Sequence, residues 1–108
     1  MDTTKDISIK QASDVYLDVT PDIGGDPLSS IVAAKYIIFD KDGNILVERT
    51  FNQGITFSIN TVTIHLTDTD TDIPCGSYFH ECVVKDPLDN DIFILTGRVR
   101  LINTTARI

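Results

Sequence analysis

The sequence predicts an all-β protein, an antiparallel β-sandwich of seven to eight short strands in a single domain spanning residues 1–108. Three observations carry this prediction. Apolar residues alternate with polar ones at a period of two nearly everywhere, and many of them are β-branched. Turn signals recur about every 8 to 12 residues, the spacing that is typical of sandwich strands. No segment has the periodicity of an amphipathic helix of useful length.

The N-terminal third contains two alternating segments and one irregular loop. In DISIKQ, Ile7 and Ile9 share one face of a strand, and DVYLDVT repeats this pattern. The stretch PDIGGDPLSSIVA, residues 21–33, interrupts the alternation with two glycines and Pro27. It predicts a surface loop, and such loops often carry contacts with partners.

The remaining segments predict two hairpins and, between them, a turn. AAKYIIFDK is a nearly continuous apolar run that ends in the Asp-Gly turn signal of residues 40–44, and ILVERTF returns as the second arm. GITFSIN and TVTIHLT alternate on either side of a turn at Asn60. SYFHECVVKD and DIFILTGRVRLIN pair around DPLDN, in which Pro87, Asp89 and Asn90 favour a turn.

Composition and charge exclude several classes of function. A net charge of -7 disfavours nucleic-acid binding, which needs a basic face. No apolar run is long enough to span a membrane, and MDTTKDISIK lacks the pattern of a secretory signal. Two cysteines do not make a disulfide scaffold, which fits a reducing compartment. We expect no cofactor.

The segment LTDTDTDIPCGSYFHE holds most of the residues that could do chemistry. Asp68, Asp70 and Asp72 have the spacing that opens a calcium loop, but an EF-hand would also need glycine and glutamate where Ile73 and Phe79 stand. A capped turn is the better interpretation, with Thr67 as the cap and Asp70 as its acidic partner. Adventitious calcium binding by this turn stays open.

Alternation along the next strand predicts which of its residues are buried. If Tyr78 points inward, so do His80, Cys82 and Val84, and Cys82 is then a small core residue. In the preceding strand the core set would be Val62, Ile64 and Leu66, which places His65 on the outer face. We expect Tyr78, Val84, Ile64 and Leu66 to be central, with Ile37 or Phe39 opposite.

The same residues argue against a metal or catalytic site. A zinc site from Cys75, His80 and Cys82 would lack the usual closely spaced ligand pairs. The spacing alone leaves a Cys75–Cys82 disulfide open. His80 and Cys82 are neighbours on one face and would point in parallel rather than at each other. Because the sequence also lacks the nucleophile-elbow, P-loop and dinucleotide motifs, we expect no enzymatic activity.

Several segments together resemble a family of small virion proteins and N-terminal domains of tailed bacteriophages. They are ISIKQASDVYLDVT, AAKYIIFDKDGNILVERT and the stretch from TVTIHL to the C-terminus. The last contains a Thr-initiated acidic turn ending in Ile-Pro, a Gly-x-Tyr strand, an Asp-Pro-x-Asx hairpin and Gly97 in the last strand. Two departures are the residues at 11–14, where Gln-Gly-Asp is common, and Cys82, where a larger apolar residue is usual.

The resemblance implies an immunoglobulin-like sandwich and a structural role in the virion. The family is similar to the N-terminal domain of phage baseplate upper proteins. Our first hypothesis is a capsid decoration protein, assembled in the host cytoplasm, that binds the shell through loops and strand edges. Its partner would be the major capsid protein. A tail, baseplate or head–tail connector component is the alternative. The partners would be other virion proteins, without nucleic acid or membrane, and homo-oligomers are compatible with this role.

The loop IGGDPLSS is the candidate contact segment. It would expose two apolar side chains, which is unusual for a solvated loop. Equally, Leu28 or Ile31 could fold back and cover one open end of the sandwich. The predicted contact residues are Ile23, Gly24, Gly25, Asp26, Pro27 and Leu28.

A carbohydrate-binding sandwich is the third hypothesis. It requires exposed aromatic side chains on a sheet face or loop tip. The chain has no Trp and three Tyr, so this hypothesis ranks below the virion roles.

Overall fold

The computed structural model describes residues 4–21, 28–58 and 60–103. These residues form eight β-strands and no helix, which confirms the predicted all-β class. No helix that could cross a membrane occurs in this described part of the chain. The strands are Ile7–Lys10 (β1), Val15–Val19 (β2), Ala33–Phe39 (β3), Ile45–Phe51 (β4), Gly54–Ser58 (β5), Thr61–Leu66 (β6), Gly76–Lys85 (β7) and Asp91–Ile102 (β8).

The strands pair in the order β1-β8-β7-β3-β4-β5-β6-β2. The link between β4 and β5 consists of only two residue pairs. We call β1, β8, β7, β3 and β4 the large layer and β5, β6 and β2 the small layer. A flat sheet of eight strands would be about 34 Å wide at about 4.8 Å per strand, whereas the two smaller dimensions of the molecule are 27 and 21 Å. Both layers contribute to one core, so the layers fold face to face.

Two strand pairs are parallel, which corrects the expectation of a purely antiparallel sheet. β1 runs parallel to β8, with Ile7 opposite Val99, and β4 runs parallel to β5. Hairpin signals predict antiparallel pairing only between strands that a short turn connects. β1 and β8 lie at opposite ends of the sequence, so no local signal could show their pairing.

A side-chain network closes the predicted β3–β4 hairpin. Asp40 Oδ1 accepts hydrogen bonds from the backbone N–H groups of Asp42 and Asn44, at 2.9 Å each. Asp40 Oδ2 accepts a third from the side-chain amide of Asn44. Gly43 has φ +85°, a conformation that glycine adopts without steric cost. The turn signal in the sequence therefore has a direct physical basis.

The β7–β8 hairpin repeats this network residue for residue. Asp86 Oδ1 accepts from the backbone N–H groups of Leu88 and Asn90, and its Oδ2 accepts from the side-chain amide of Asn90. The residue with positive φ is here Asp89, at +68°. Both predicted hairpins are thus held by an aspartate that binds an asparagine four residues later.

The predicted core residues of β6 and β7 are confirmed. Tyr78, Val84, Ile64 and Leu66 are all buried. Alternation along β6 leaves His65 on the outer face, as expected. These strands have one polar and one apolar face, so their sequence pattern determines the orientation of every side chain.

On β3 the predicted orientation was wrong. Tyr36 and Ile38 are buried, whereas Ile37 and Phe39 are half-buried on the outer face. Most residues of this strand are apolar, so alternation did not determine its orientation. Because Tyr36 points inward, its hydroxyl group needs a hydrogen-bond partner in the core.

That partner is His80, a buried polar side chain of β7. His80 is 1% exposed, and its Nδ1 lies 3.0 Å from the Tyr36 hydroxyl. Its Nε2 lies 2.7 Å from the carbonyl oxygen of Lys5. The neutral ring satisfies both contacts, since Nδ1 accepts a bond from tyrosine and Nε2–H donates one to the carbonyl. Burial lowers the pKa of His80, which favours this neutral form.

Gly97 makes the contact between His80 and Lys5 possible. It lies opposite His80 in the β7–β8 register. A Cβ atom at this position would be 2.2 Å from the Lys5 carbonyl oxygen. The absence of a side chain at Gly97 therefore leaves room for the Lys5 carbonyl group, which reaches the buried imidazole.

Candidate docking surface

The predicted contact loop lies mostly outside the described residues. Ile23, Gly24, Gly25, Asp26 and Pro27 belong to the stretch that the structure does not describe, so their role stays a prediction. Leu28 is described and is buried in the core, and its backbone N–H donates to Asn60 Oδ1 at 2.6 Å. Of the two alternatives for Leu28, exposure at a loop tip or folding back, the structure has the one in which the side chain folds back into the core.

The acidic turn after β6 is the capped turn that the sequence predicts. The backbone N–H of Thr67 donates to Asp70 Oδ2 at 2.8 Å, and the N–H of Asp70 donates to the Thr67 hydroxyl at 3.3 Å. Arg49 on β4 donates two further hydrogen bonds to Asp70. Burial acts to raise the pKa of Asp70, but the bonds from Arg49 and Thr67 outweigh it and lower the pKa.

The histidines and cysteines are not brought together. Cys82 is buried, Cys75 is exposed, and both thiols are free, so the disulfide alternative is not realised. Burial raises the pKa of Cys82 to about 12. In the ranges that the structure describes, no three His, Cys, Asp or Glu side chains form a group that could hold a metal ion.

The large exposed hydrophobic side chains concentrate around the large layer. Phe93 on β8 is 59% exposed, Ile45 on β4 is 54% exposed, and Leu88 at the tip of the β7–β8 hairpin is 82% exposed. Monomeric proteins expose few contiguous apolar patches, and larger ones mark interaction sites. The remaining members of this set beside the large layer are Val32, Leu46 and Ile102.

An apolar row crosses the outer face of the large layer. Register pairs Ile45 with Phe39 and Phe39 with Phe79. The two phenylalanine rings stack with centroids 5.8 Å apart. Arg98 follows Phe79 on β8 as the polar end of the row. The outward orientation of Phe79 could be predicted from the sequence. Side chains alternate along β7, so Phe79 points outward if His80 points inward.

A pocket of about 600 Å³ lies at the end of this row, where the N-terminal segment meets the β3–β4 hairpin. The Phe39 and Phe79 rings contribute its apolar wall, and Lys41 and Arg98 its cations. Its carboxylates are those of Asp6 and Asp40. The other lining residues are Thr4, Gly43, Thr96 and Gly97.

The charged groups of the pocket differ in what they already bind. Asp40 is engaged by its own turn, which lowers its pKa, chiefly through the hydrogen bonds from Asn44. Asp6 Oδ1 accepts from the backbone N–H of Arg98 at 2.9 Å. Neither Lys41 nor the Arg98 guanidinium makes an ion pair with another described residue. The pocket therefore has two cationic side chains that form no ion pair within the described residues, and they lie beside an aromatic wall.

A second surface feature lies on the small layer. The rings of Tyr16 and His65 stack with centroids 4.3 Å apart and 2° between their planes. Tyr16 is 66% exposed, and His65 Nε2 lies 3.6 Å from Asp14 Oδ1. This is an exposed aromatic side chain on a sheet face, with polar groups beside it.

Comparison with known proteins shows similarity at the level of fold. No protein-family model matches the sequence, and no curated protein matches it. The crystal structure of CopC from Methylosinus trichosporium OB3b is similar, with a TM-score of 0.51 over 99% of this chain and 91% of that one. The two sequences are 13% identical, so this likeness concerns the fold alone.

Proposed function

We propose that this chain is a non-enzymatic structural protein of a tailed-phage virion, foremost a capsid decoration protein. It attaches to a neighbouring virion protein, in the first place the major capsid protein, through the outer face of the large layer. The concentration of exposed apolar side chains on and beside this layer carries the proposal. The virion setting rests on the resemblance of the sequence to small phage virion proteins.

The outer face has the composition of an interface centre. Phe93 on β8 and Val83 on β7 are opposite in register. Phe79 and Phe39 form a second apolar pair on the same face, four residues away along β7. Aromatic anchors surrounded by polar groups dominate the energy of protein contacts. Lys35, which forms a 2.9 Å salt bridge with Glu48, lies opposite Val83 on the same face.

Quantitative mass spectrometry of purified virions tests the setting. A ratio near one copy per major capsid protein supports shell decoration. A ratio far below one supports the alternative, a tail, baseplate or connector component. Absence of the chain from virions would overturn both virion roles.

Substitution on the outer face tests the docking surface. Phe93→Ser removes an exposed aromatic anchor, so the folded protein should lose virion association. Tyr16→Ser on β2 is the matched control, because this exposed aromatic side chain lies on the small layer, outside the proposed docking face. Ile23→Ser tests the predicted contact loop in the same assay. If Phe93→Ser binds like the parent and Ile23→Ser does not, the loop is the docking surface.

Carbohydrate binding is a second candidate function, which the exposed Tyr16 favours. Sugar rings pack on aromatic faces, and carboxylates such as Asp14 and Asp18 accept bonds from their hydroxyl groups. A glycan screen with the intact protein and with Tyr16→Ala tests this. A ligand that binds the parent and is lost in the variant would support this function over the virion role.

A further inference from the structure

Residues 4–10, which we call the N-terminal arm, are attached to the rest of the chain along one strand. Among the described strands, β8 is the only partner of β1, and β1 forms one edge of the sheet. The Lys5 carbonyl extends this contact by accepting a hydrogen bond from His80. Ile9 is buried in the core, Ile7 is half-buried, and the other side chains of the arm are exposed. Separation of the arm from β8 would therefore break no other strand pairing.

The site that holds the arm on β8 matches the sequence of the arm. Gly97 leaves room for the Lys5 carbonyl group. The backbone N–H of Arg98 donates to Asp6 Oδ1 at 2.9 Å, and the Ile9 side chain fills a place in the core, where it is 3% exposed. The arm of a second copy has the same sequence, so it would make the same contacts. A second copy is thus an occupant whose fit to this site is already present in the structure.

The link between the arm and β2 is short and strained. Residues 11–14 connect β1, at one end of the strand order, with β2 at the other end. Ala12 has φ +55°, a left-handed conformation that is unfavourable for a residue with a Cβ atom. Ser13 is fixed beyond it, because its N–H donates to the Thr71 hydroxyl at 2.8 Å and its carbonyl accepts from that hydroxyl at 2.7 Å. The arm therefore has its hinge at Gln11 and Ala12, and short hinges under strain favour exchange of the element that they carry.

We propose that two copies of this chain exchange their N-terminal arms, so that residues 4–10 of each copy pair with β8 of the other. The exchanged dimer keeps every contact between arm and β8. Each Ala12 can leave its left-handed conformation, because the hinge now extends from one copy to the other. Association costs entropy, so the dimer forms at high protein concentration. The exchange is reciprocal and fills both sites, so the assembly is closed at two copies.

Substitutions at the hinge test the role of strain. Ala12→Gly removes the strain from the monomer, so dimerisation should weaken about tenfold, since each dimer contains two hinges. Ala12→Pro excludes a positive φ, so the folded protein should be mainly dimeric. Asn52→Gly is the matched control, because Asn52 has φ +67° in the turn between β4 and β5, outside the hinge. It should dimerise like the parent protein in sedimentation experiments.

A disulfide between the arm and β8 shows which copy supplies the arm. Ser8 and Arg100 are opposite each other in the β1–β8 register, and both are exposed. Ser8→Cys and Arg100→Cys are combined with Cys75→Ser, so that the only other cysteine is the buried Cys82. Neighbouring strands are close enough for such a bridge. After oxidation and denaturation without reductant, the dimer fraction should contain covalent dimers, and the monomer fraction single chains.

Three outcomes would overturn the proposal. They are a parent protein that stays monomeric up to about 1 mM, dimerisation that is equally strong in the parent and in Ala12→Gly, and an oxidised dimer fraction that denatures to single chains. If Ala12→Pro does not fold, the glycine variant and the disulfide still decide between exchange and its absence. The experiments use the isolated protein, so their result is independent of whether the chain resides in a virion.

Discussion

At the scale of single residues, Gly97 determines how the N-terminal segment is attached. Gly97→Ala places a methyl group 2.2 Å from the Lys5 carbonyl oxygen, at a φ of +154°. The segment must move, and the bond from His80 to Lys5 is lost with it. We expect the free energy of unfolding to fall by about 3 kcal/mol or more, measured by chemical denaturation.

Gly43 provides the matched control for this substitution. Its φ is +85°, but no atom lies within 4 Å of the position of an added Cβ. Gly43→Ala should therefore cost only the conformational strain, about 1 to 2 kcal/mol. Equal losses in the two variants would show that the close approach of the Lys5 carbonyl to Gly97 does not stabilise the protein.

His80 should make stability depend on pH. Burial lowers the pKa of His80 in the folded protein below the ordinary value of 6.5. Between these two values the unfolded chain binds a proton that the folded chain does not. Stability therefore falls as pH decreases through 6.5 and below. Denaturation between pH 7.5 and 5 should show this slope.

Two histidine variants show which histidine causes the dependence of stability on pH. His80→Asn should flatten the pH dependence, whatever it does to stability at neutral pH. His65→Asn should preserve it, since His65 lies on the outer face of the small layer. A slope that survives His80→Asn and disappears with His65→Asn would contradict this assignment.

At the scale of elements, the turn after β6 is joined to β4 by the Arg49–Asp70 pair. Asp70→Asn keeps the shape of the side chain but removes its charge, so it should cost about 1 to 3 kcal/mol at neutral pH. Asp68→Asn, an exposed substitution in the same turn, should change stability by less than about 0.5 kcal/mol. Urea unfolding of both variants measures the difference.

The Arg49–Asp70 pair should also make part of the stability sensitive to acid. The pKa of Asp70 is lowered relative to the ordinary 3.8, so the folded state favours the carboxylate. The stabilisation is therefore present above pH 3.8 and is lost as pH falls below it. The stability difference between parent and Asp70→Asn should shrink in this acidic range, and a constant difference would contradict the ionic role of Asp70.

The sequence predicted those elements whose cause is local. Asp40 and Asp86 bind an asparagine four residues later, and such turn chemistry is visible in four or five letters of sequence. The Thr67–Asp70 cap is local in the same way. By contrast, β1 pairs with β8 from the other end of the chain, and the nearby hydrogen bond between Lys5 and His80 joins residues 75 apart. No short pattern contains that information.

The outer face of the large layer could be predicted only in part from the sequence, because it too depends on contacts between distant residues. Once His80 is placed inside, alternation along β7 turns Phe79 outward. The orientation of Phe39 did not follow, because β3 is largely apolar and its inward face is chosen by the bond between Tyr36 and His80. The pocket needs both phenylalanines and the N-terminal segment, so it exists only after three distant parts of the chain have come together.

At the scale of the whole molecule, the two layers share one core, although the hydrogen-bonded link between them is narrow. We therefore expect them to unfold as one cooperative unit, as predicted for a single domain. Ile64→Ala in the small layer should cost about 2 to 5 kcal/mol. In this variant, hydrogen exchange should show the same loss of protection free energy at the backbone amide of residue 64 in β6 and at that of Val84 in β7. A loss confined to the small layer would show that the layers unfold independently.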